Sequence, residues 1–330
     1  MKVTNNTGVS LPLAVWLLHD DYDMVYGVEN YISVTTLMKP LRQIILPKRI
    51  PPEEQTTDVV DFIARKLGHS IHDSIEKSWQ PGNFNRSLKL LGYSADIIDR
   101  IRVNPTLEEC RASNEIIAVY IEQRAMATVD GFTIGGKFDM VTDGIVNDSK
   151  STSVWGWIKG TRDEDHIKQM SLYRWIDSKN EHRKITEDYG RVNYIFTDWT
   201  KMMLRSTPNY PPSRVQHKDY PLWSLADTEA WVQAKLRLIQ ANINTPEAQL
   251  PECTDEELWR SAPSYKYFSD PAKAQDPNAR STKNFDTLSD ANQHLAEKGG
   301  RGIVITKPGE VKACAYCAAF DGCTQKDRYL

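Results

Sequence analysis

Three residues on one short stretch carry groups that could hydrolyse a phosphodiester. The segment GGKFDMVTDGIVNDSK, residues 135–150, holds Asp139, then Asp148, then Lys150 two positions later. Side chains two apart on a strand share a face, so Asp148 and Lys150 are expected to project together while Asn147 and Ser149 take the other side. Asp143-Gly144 is a hairpin-turn pair that would lay the Asp139 strand beside the Asp148 strand. Two carboxylates brought together in this way can share a hard divalent cation through oxygen ligands. An ammonium beside them can hold a phosphate oxygen or an attacking water. Charges on the solvent face of a hairpin would give the same letters, so the string needs support from elsewhere in the chain.

Support comes from the elements on either side. Upstream, residues 57–79 place Val60, Ile63, Ala64, Leu67, Ile71 and Ile75 at the three-and-four spacing of an amphipathic helix, with His72 and Glu76 one turn apart on it. His69 lies three residues before His72 and falls near the same face. Downstream, residues 163–180 read as a second amphipathic helix on which Gln169 and Tyr173 are four apart on one side. An amide and a phenol can each donate to phosphate oxygens.

With Gly68, His72 and Glu76 as a GxxxHxxxE motif, D-x8-D-x-K across Asp139, Asp148 and Lys150, and QxxxY at Gln169 and Tyr173, the chain resembles the RecB-type branch of the PD-(D/E)XK nucleases. The resemblance implies an α/β fold, a restriction-endonuclease-like mixed sheet flanked by helices. It implies that His72, Asp139, Asp148 and the backbone carbonyl of Ser149 hold magnesium or manganese, and that Lys150 positions the nucleophile or stabilises charge. Gln169 and Tyr173 would border the site and touch the DNA. Glu115 stands where relatives often carry a further acidic ligand. A wider likeness, through SLPLAVWLLHDDYD, GHSIHDSIE, NDSKSTSVW, LPECTDEELW and CAYCAAFDGC, is to bacteriophage-type exonuclease-like proteins. It implies a deoxyribonuclease, an exonuclease of phage or bacterial DNA replication, recombination or repair, with partner proteins of those processes.

Cys314, Cys317 and Cys323 form a CxxCx5C cluster that can wrap one metal centre, with Asp321-Gly322 folding the chain back. The fourth thiolate is either Cys110 or Cys253. Cys253 is favoured because Pro251 precedes it and Thr254 with Glu257 makes a capping box after it. This ending resembles the iron–sulfur nuclease domains of the same superfamily, in which a four-iron cluster staples the domain. A zinc ion would use the same four thiolates. Disulfides are the least expected outcome, since no export signal accompanies the thiols.

Composition agrees without deciding. The 330 residues carry 41 basic and 44 acidic side chains, a net charge of −3, which is unusual for a protein that coats nucleic acid, whereas a nuclease needs only a local basic groove. Groove candidates are Lys39, Arg42, Lys48 and Arg49, then Lys150, Lys159, Arg162 and Lys168 around the site. The apolar run LPLAVWLL, residues 11–18, is far shorter than the ~20 residues of a membrane span and is followed by Asp20 and Asp21, so a cytoplasmic location is expected.

Three regions are expected: an N-terminal helical segment at 1–55, the nuclease core at 56–206, and 207–330 as linker, helix and cysteine-cluster lobe packed on the core. Strands are predicted near 116–124, 131–141, 145–150 and 191–197. The Pro-rich residues 207–223 read as a loop, followed by a helix near 228–241. The C-terminal lobe is expected to hold short strands at 265–268 and 302–306 and a helix capped by Ser289. The competing reading is a catalytically silent nucleic-acid-binding or assembly protein with the same fold and a structural iron–sulfur or zinc site.

Overall fold

A computed structural model describes the chain apart from Met1, residues 20–24 and 26, Pro52, Glu54, Pro277 and Leu330. Asp20 and Asp21, which close the apolar run, therefore lie outside the described residues. The chain forms two compact units, one of residues 1–39 with 51–240 and one of 40–50 with 241–330. No helix among the described residues is long and apolar enough to cross a membrane.

The larger unit is α/β, built on a seven-stranded mixed sheet flanked by helices, as expected from the sequence. Its strands lie in the order Ile101–Val103, Ile117–Val129, Phe132–Thr142, Ile145–Thr152, Tyr189–Phe196 and Val215–Pro221. The second to fourth are the Glu122, Asp139 and Asp148 strands, and the fifth is the Asn193 strand. The hairpin between the Asp139 and Asp148 strands turns on Asp143 (φ 51°) and Gly144 (φ 75°). Two positive φ values in succession are what a two-residue hairpin loop needs, and Asp-Gly supplies them at low cost.

One edge of the Asp139 strand is divided. Tyr31–Ser33 pairs in parallel with Thr133–Gly135, and the Asp148 strand pairs only with Met140–Thr142. Between those stretches neither strand pairs with residues 136–139. The Asp148 strand leaves after Asn147 and continues in parallel beside the Asn193 strand to Thr152. The backbone groups of Ser149 that face the Asp139 strand are thereby free for other partners.

The Gln169 helix, Asp163–Ser178, packs on this sheet through Met170, Leu172, Trp175 and Ile176, each fully buried with Phe138, Val146 and Val192. Asp163, Glu164 and Asp165 open it, where acidic side chains complement the helix dipole. Gly190 permits the close packing, because a Cβ there would lie 2.6 Å from the Met170 sulfur. The His72 helix, Ile63–Ser78, has no fully buried side chain; it starts later than the periodicity suggests, since Thr56–Asp58 is a strand and Val59–Phe62 a 3-10 turn.

The Pro-rich stretch is a correction. Val215–Pro221 is a strand, antiparallel to the Asn193 strand, with Arg191 paired to Asp219 across the ladder. It sits at the sheet edge, where polar and exposed residues are ordinary and a terminal proline costs no ladder bond, so apolar alternation was not there to be read. The helix that follows runs from Leu225 to Asn242.

The smaller unit holds an antiparallel three-stranded sheet, Lys283–Phe285, Ser264–Phe268 and Ile303–Lys307 in that order, with helix Leu288–Glu297. That helix is capped by the Thr287 hydroxyl, which accepts from the Asp290 amide; Ser289 lies inside its first turn. Thr254 and Glu257 make the reciprocal capping-box bonds expected after Cys253, although only turns follow them.

Candidate metal centre

Among the described residues, one group of metal-ligating side chains converges: the ligand atoms of His72, Glu122 and Asp139 all lie within 4.8 Å of one another. Each comes from a different element. His72 projects from its helix, Asp139 from the unpaired part of its strand, and Glu122 from the neighbouring strand. Glu122 adopts φ 51°, in the left-handed region. The ladder keeps its register on either side, with Ile121 opposite Met140 and Gln123 opposite Phe138.

The Asp139 carboxylate accepts a hydrogen bond from the Ser149 amide at 2.8 Å and lies 3.3 Å from His72 Nδ1. His72 Nε2 is 2.9 Å from the Ser149 carbonyl oxygen. Both ring nitrogens thus face acceptors, a carboxylate and a carbonyl, and only the imidazolium can donate to both. Its pKa is raised accordingly, first by the Asp139 hydrogen bond and against the effect of burial. Burial pushes the Asp139 carboxyl up, but the hydrogen bond from His72, the nearby charges and the Ser149 amide outweigh it and hold the group below its ordinary value. Glu122 pairs with Lys137 at 2.6 Å, and burial still raises its carboxyl.

Asp148 and Lys150 share a face of their strand, as the two-residue spacing requires. Lys150 Nζ lies 2.8 Å from both carboxylate oxygens. Only Oδ1 is in hydrogen-bonding geometry, and Oδ2 is buried without a hydrogen bond. Asp148 is 2% exposed, and burial pushes its pKa up to about 6. Burial would lower Lys150, but Asp148 and Asp139 hold it raised. The convergent group suits a hard divalent cation, with three side-chain ligands and the Ser149 carbonyl beside His72; Asp148, expected as a further ligand, lies outside that group. When protonated, the half-buried His72 ring supplies positive charge to the Asp139 carboxylate.

The other sequence candidates fall into place differently. Glu115 is exposed and lies outside the convergent group. It precedes the strand that carries Glu122, and the five residue steps from Ile117 to Glu122 alone span about 17 Å. Glu122 was missed because YIEQR reads as an ordinary alternating strand, and a single αL residue leaves no mark on that pattern. Gln169 donates to the Tyr173 hydroxyl at 2.9 Å, and Tyr173 is 5% exposed, its ring against Gly136.

Among the groove candidates, Arg42 is a correction. It is 4% exposed and belongs to the smaller unit, where it donates to the carbonyls of Glu247, Leu250 and Pro251, to the Glu247 carboxylate and, at 3.4 Å, to the Cys323 sulfur. Arg49 is likewise engaged by the carbonyls of Asn242 and Ile243. Lys168 lies over the Trp231 ring, and Arg162 pairs with Asp165.

Cys253, Cys314, Cys317 and Cys323 line one pocket of the smaller unit, whereas Cys110 lies in the larger unit beside Tyr120 and His182. Buried Gln325 grips both backbone groups of Cys253 at 2.9 Å. No three of the sulfurs lie within 4.8 Å of one another. Burial pushes the Cys253 thiol up to about 12.

No family model matches the chain, and no curated protein does. Among solved structures, the chain is similar to SSO0001, at 17% identity over 68% of this chain and 82% of that one, with a TM-score of 0.37. It is also similar to a phage related exonuclease from Haemophilus somnus 129PT, at 14% identity over 64% of this chain and 95% of that one, with a TM-score of 0.28. Neither likeness is close enough to fix a family, so the chemistry rests on the residues themselves.

Proposed function

We propose that the chain is a divalent-metal-dependent nuclease that hydrolyses phosphodiester bonds of DNA, and that it acts from strand ends. The observation that carries this reading is the convergence of His72, Glu122 and Asp139 beside the Ser149 carbonyl, with the buried Asp148–Lys150 pair on the same strand as that carbonyl. His72, Glu122, Asp139, the Ser149 carbonyl and the spare Asp148 oxygen would hold magnesium or manganese. Such an ion, when bound, lowers the pKa of a water and offsets the charge that grows on the phosphate.

The chain's own groups do the rest. Asp148 and Asp139 keep Lys150 protonated against burial, so a fixed ammonium is available to a phosphate oxygen without rearrangement. The Ser149 amide orients the Asp139 carboxylate from behind. Gln169 and Tyr173, locked to each other, would hold the strand at the border of the site. DNA as substrate, action from ends and a role in phage or bacterial recombination or repair follow from the motif resemblance.

For the four cysteines we favour an iron–sulfur cluster over zinc. Thiolates about 2.3 Å from a single zinc sit roughly 3.8 Å apart. The sulfurs do not meet that spacing, and what supports the cluster is the motif resemblance together with the Arg42 hydrogen bond to Cys323, which is of the kind that tunes such clusters. Anaerobically purified protein should be brown and contain iron and sulfide. A colourless protein carrying one zinc per chain would reverse this choice.

The direct test of the nuclease is digestion of end-labelled linear and closed circular DNA with magnesium or manganese. Linear DNA should be cut and circles resist, and Asp148→Ala and Lys150→Ala should each abolish cleavage while staying folded. Activity surviving in both variants would move the active site elsewhere, and no activity under any metal would favour a silent DNA-binding protein.

A further inference from the structure

The carboxylate site forms one wall of a cavity of about 280 Å³, and apart from Glu76, Asn147 and Asn193 the rest of that cavity is apolar. Ile75, Trp79, Ile121, Met140, Ile195 and Val215 line it. Walls of this kind strip water from an ion or a free phosphate without replacing its hydrogen bonds, so they oppose purely ionic occupants. A nucleotide matches both ends at once. Its phosphate is anionic, and a few bonds away its base offers apolar faces and a polar edge.

The cavity also contains groups suited to each part of a base. Trp79, at the end of the His72 helix, is braced by Phe84 with ring centroids 5.8 Å apart, so it offers a supported aromatic surface. For the edge there is an amide. Asn147 spends its amide nitrogen on Thr142 Oγ1 and the Ile145 carbonyl, and its oxygen accepts from Asn193 Nδ2. This chain of bonds fixes which way the Asn193 amide points. Asn193 Oδ1 and one amide hydrogen remain for a donor and an acceptor on a base.

We propose that this cavity receives the base of the nucleotide next to the scissile phosphate, and that the substrate at the point of cleavage is therefore an unpaired strand. A base held between Trp79 and the walls at Ile195 and Val215 cannot remain stacked and paired in a duplex, so double-stranded DNA must fray or be opened before it is cut. The inference rests on the nuclease reading for the position of the phosphate.

The test is binding to the full chain with manganese present, comparing thymidine 5′-monophosphate with 2-deoxyribose 5-phosphate by calorimetry. Stacking of the base should make the nucleotide bind on the order of tenfold or more tightly. Val215 is 57% exposed at the sheet edge, so Val215→Trp fills the cavity without touching the core. It should erase the preference and leave the sugar phosphate's affinity unchanged, and Trp79→Ala should reduce the preference in the same way. Equal or undetectable binding of both probes, or a preference that survives both variants, overturns the proposal. Cleavage assays report on the nuclease separately. A chain that cuts DNA but binds the two probes equally loses only the base cavity, and one that prefers the nucleotide but never cuts loses only the hydrolytic reading.

Discussion

Glu122 faces Asp139 across the ladder at a point where the pairing is interrupted, while the pairs on either side keep register. The interruption has a local cause, since Glu122 sits at φ 51° and a non-glycine residue there costs about 1–2 kcal/mol. Strain of that size persists only when the surroundings hold it, and here it delivers a carboxylate to within 4.8 Å of the His72 and Asp139 ligand atoms.

Removing that carboxylate should therefore separate function from stability. Glu122→Gln is expected to lower kcat/KM on the order of 10²-fold or more with magnesium, because the ion that offsets the phosphate's charge loses an anionic ligand. Glu115→Gln should leave it unchanged. Glu122→Gly lacks the same charge but relieves the backbone, so it should be more stable than Glu122→Gln by about 1 kcal/mol in urea denaturation. Equal activity of Glu122→Gln and the parent chain would remove Glu122 from the site.

How much of this was legible depended on whether the signal was local. Asp143-Gly144, the shared face of Asp148 and Lys150, and the facing of Gln169 and Tyr173 follow from turn chemistry and periodicity, and each is present. The preference for Cys253 over Cys110 rests on a rigid helix entry; the Thr254–Glu257 bonds form, but turns and not a helix follow them. Glu122 was not legible, because its place depends on an αL kink and on two strands parting after Asn147. Arg42 was misread for a different reason. A buried arginine and a groove arginine look alike until the carbonyls of Glu247, Leu250 and Pro251 are seen around it.

The pH dependence has a definite sign. His72 has a raised folded pKa, so its contribution to stability is complete below about 6.5 and is lost as pH rises through the folded value. Asp148 is also raised, to about 6 from 3.8, so the fold favours its neutral form and loses stability across that interval as pH rises. Metal-free protein should therefore melt at lower temperature at pH 8 than at pH 5.5. Saturating manganese requires both groups deprotonated, so its stabilisation should grow over the same range, reaching about 2.7 kcal/mol at 100 times Kd. A manganese-induced rise in Tm that is independent of pH would exclude His72 and Asp148 as ligands.

Gly136 allows Tyr173 to sit against the sheet. A Cβ at this position would lie 2.6 Å from the Tyr173 ring and 3.0 Å from Val34 Cγ2. Gly136→Ala should cost about 1–3 kcal/mol as Tyr173 is displaced, an overpacking penalty. It should also weaken DNA binding through loss of the Gln169–Tyr173 contact. Tyr173→Phe removes only the hydroxyl that accepts from Gln169, so it should weaken binding with a stability loss of about 1 kcal/mol. DNA affinity unchanged in both variants would make the pair purely structural.

Arg42 offers a test between two roles that predict opposite results. As a groove cation, its replacement would weaken DNA binding, flatten the dependence of affinity on salt and leave stability alone. Its burial and its bonds to Glu247 and Cys323 argue for the opposite. Arg42→Met strands a partly buried carboxylate whose remaining partners are the Thr324 amide and hydroxyl, and should destabilise the protein by about 3 kcal/mol. Any metal held by the cysteines, assayed as iron or zinc per chain, should fall with it, because Arg42 ties the segment before Cys253, at Glu247, Leu250 and Pro251, to Cys323. Arg42→Lys keeps the charge but not the planar fork that reaches several acceptors at once, and should fall between the two.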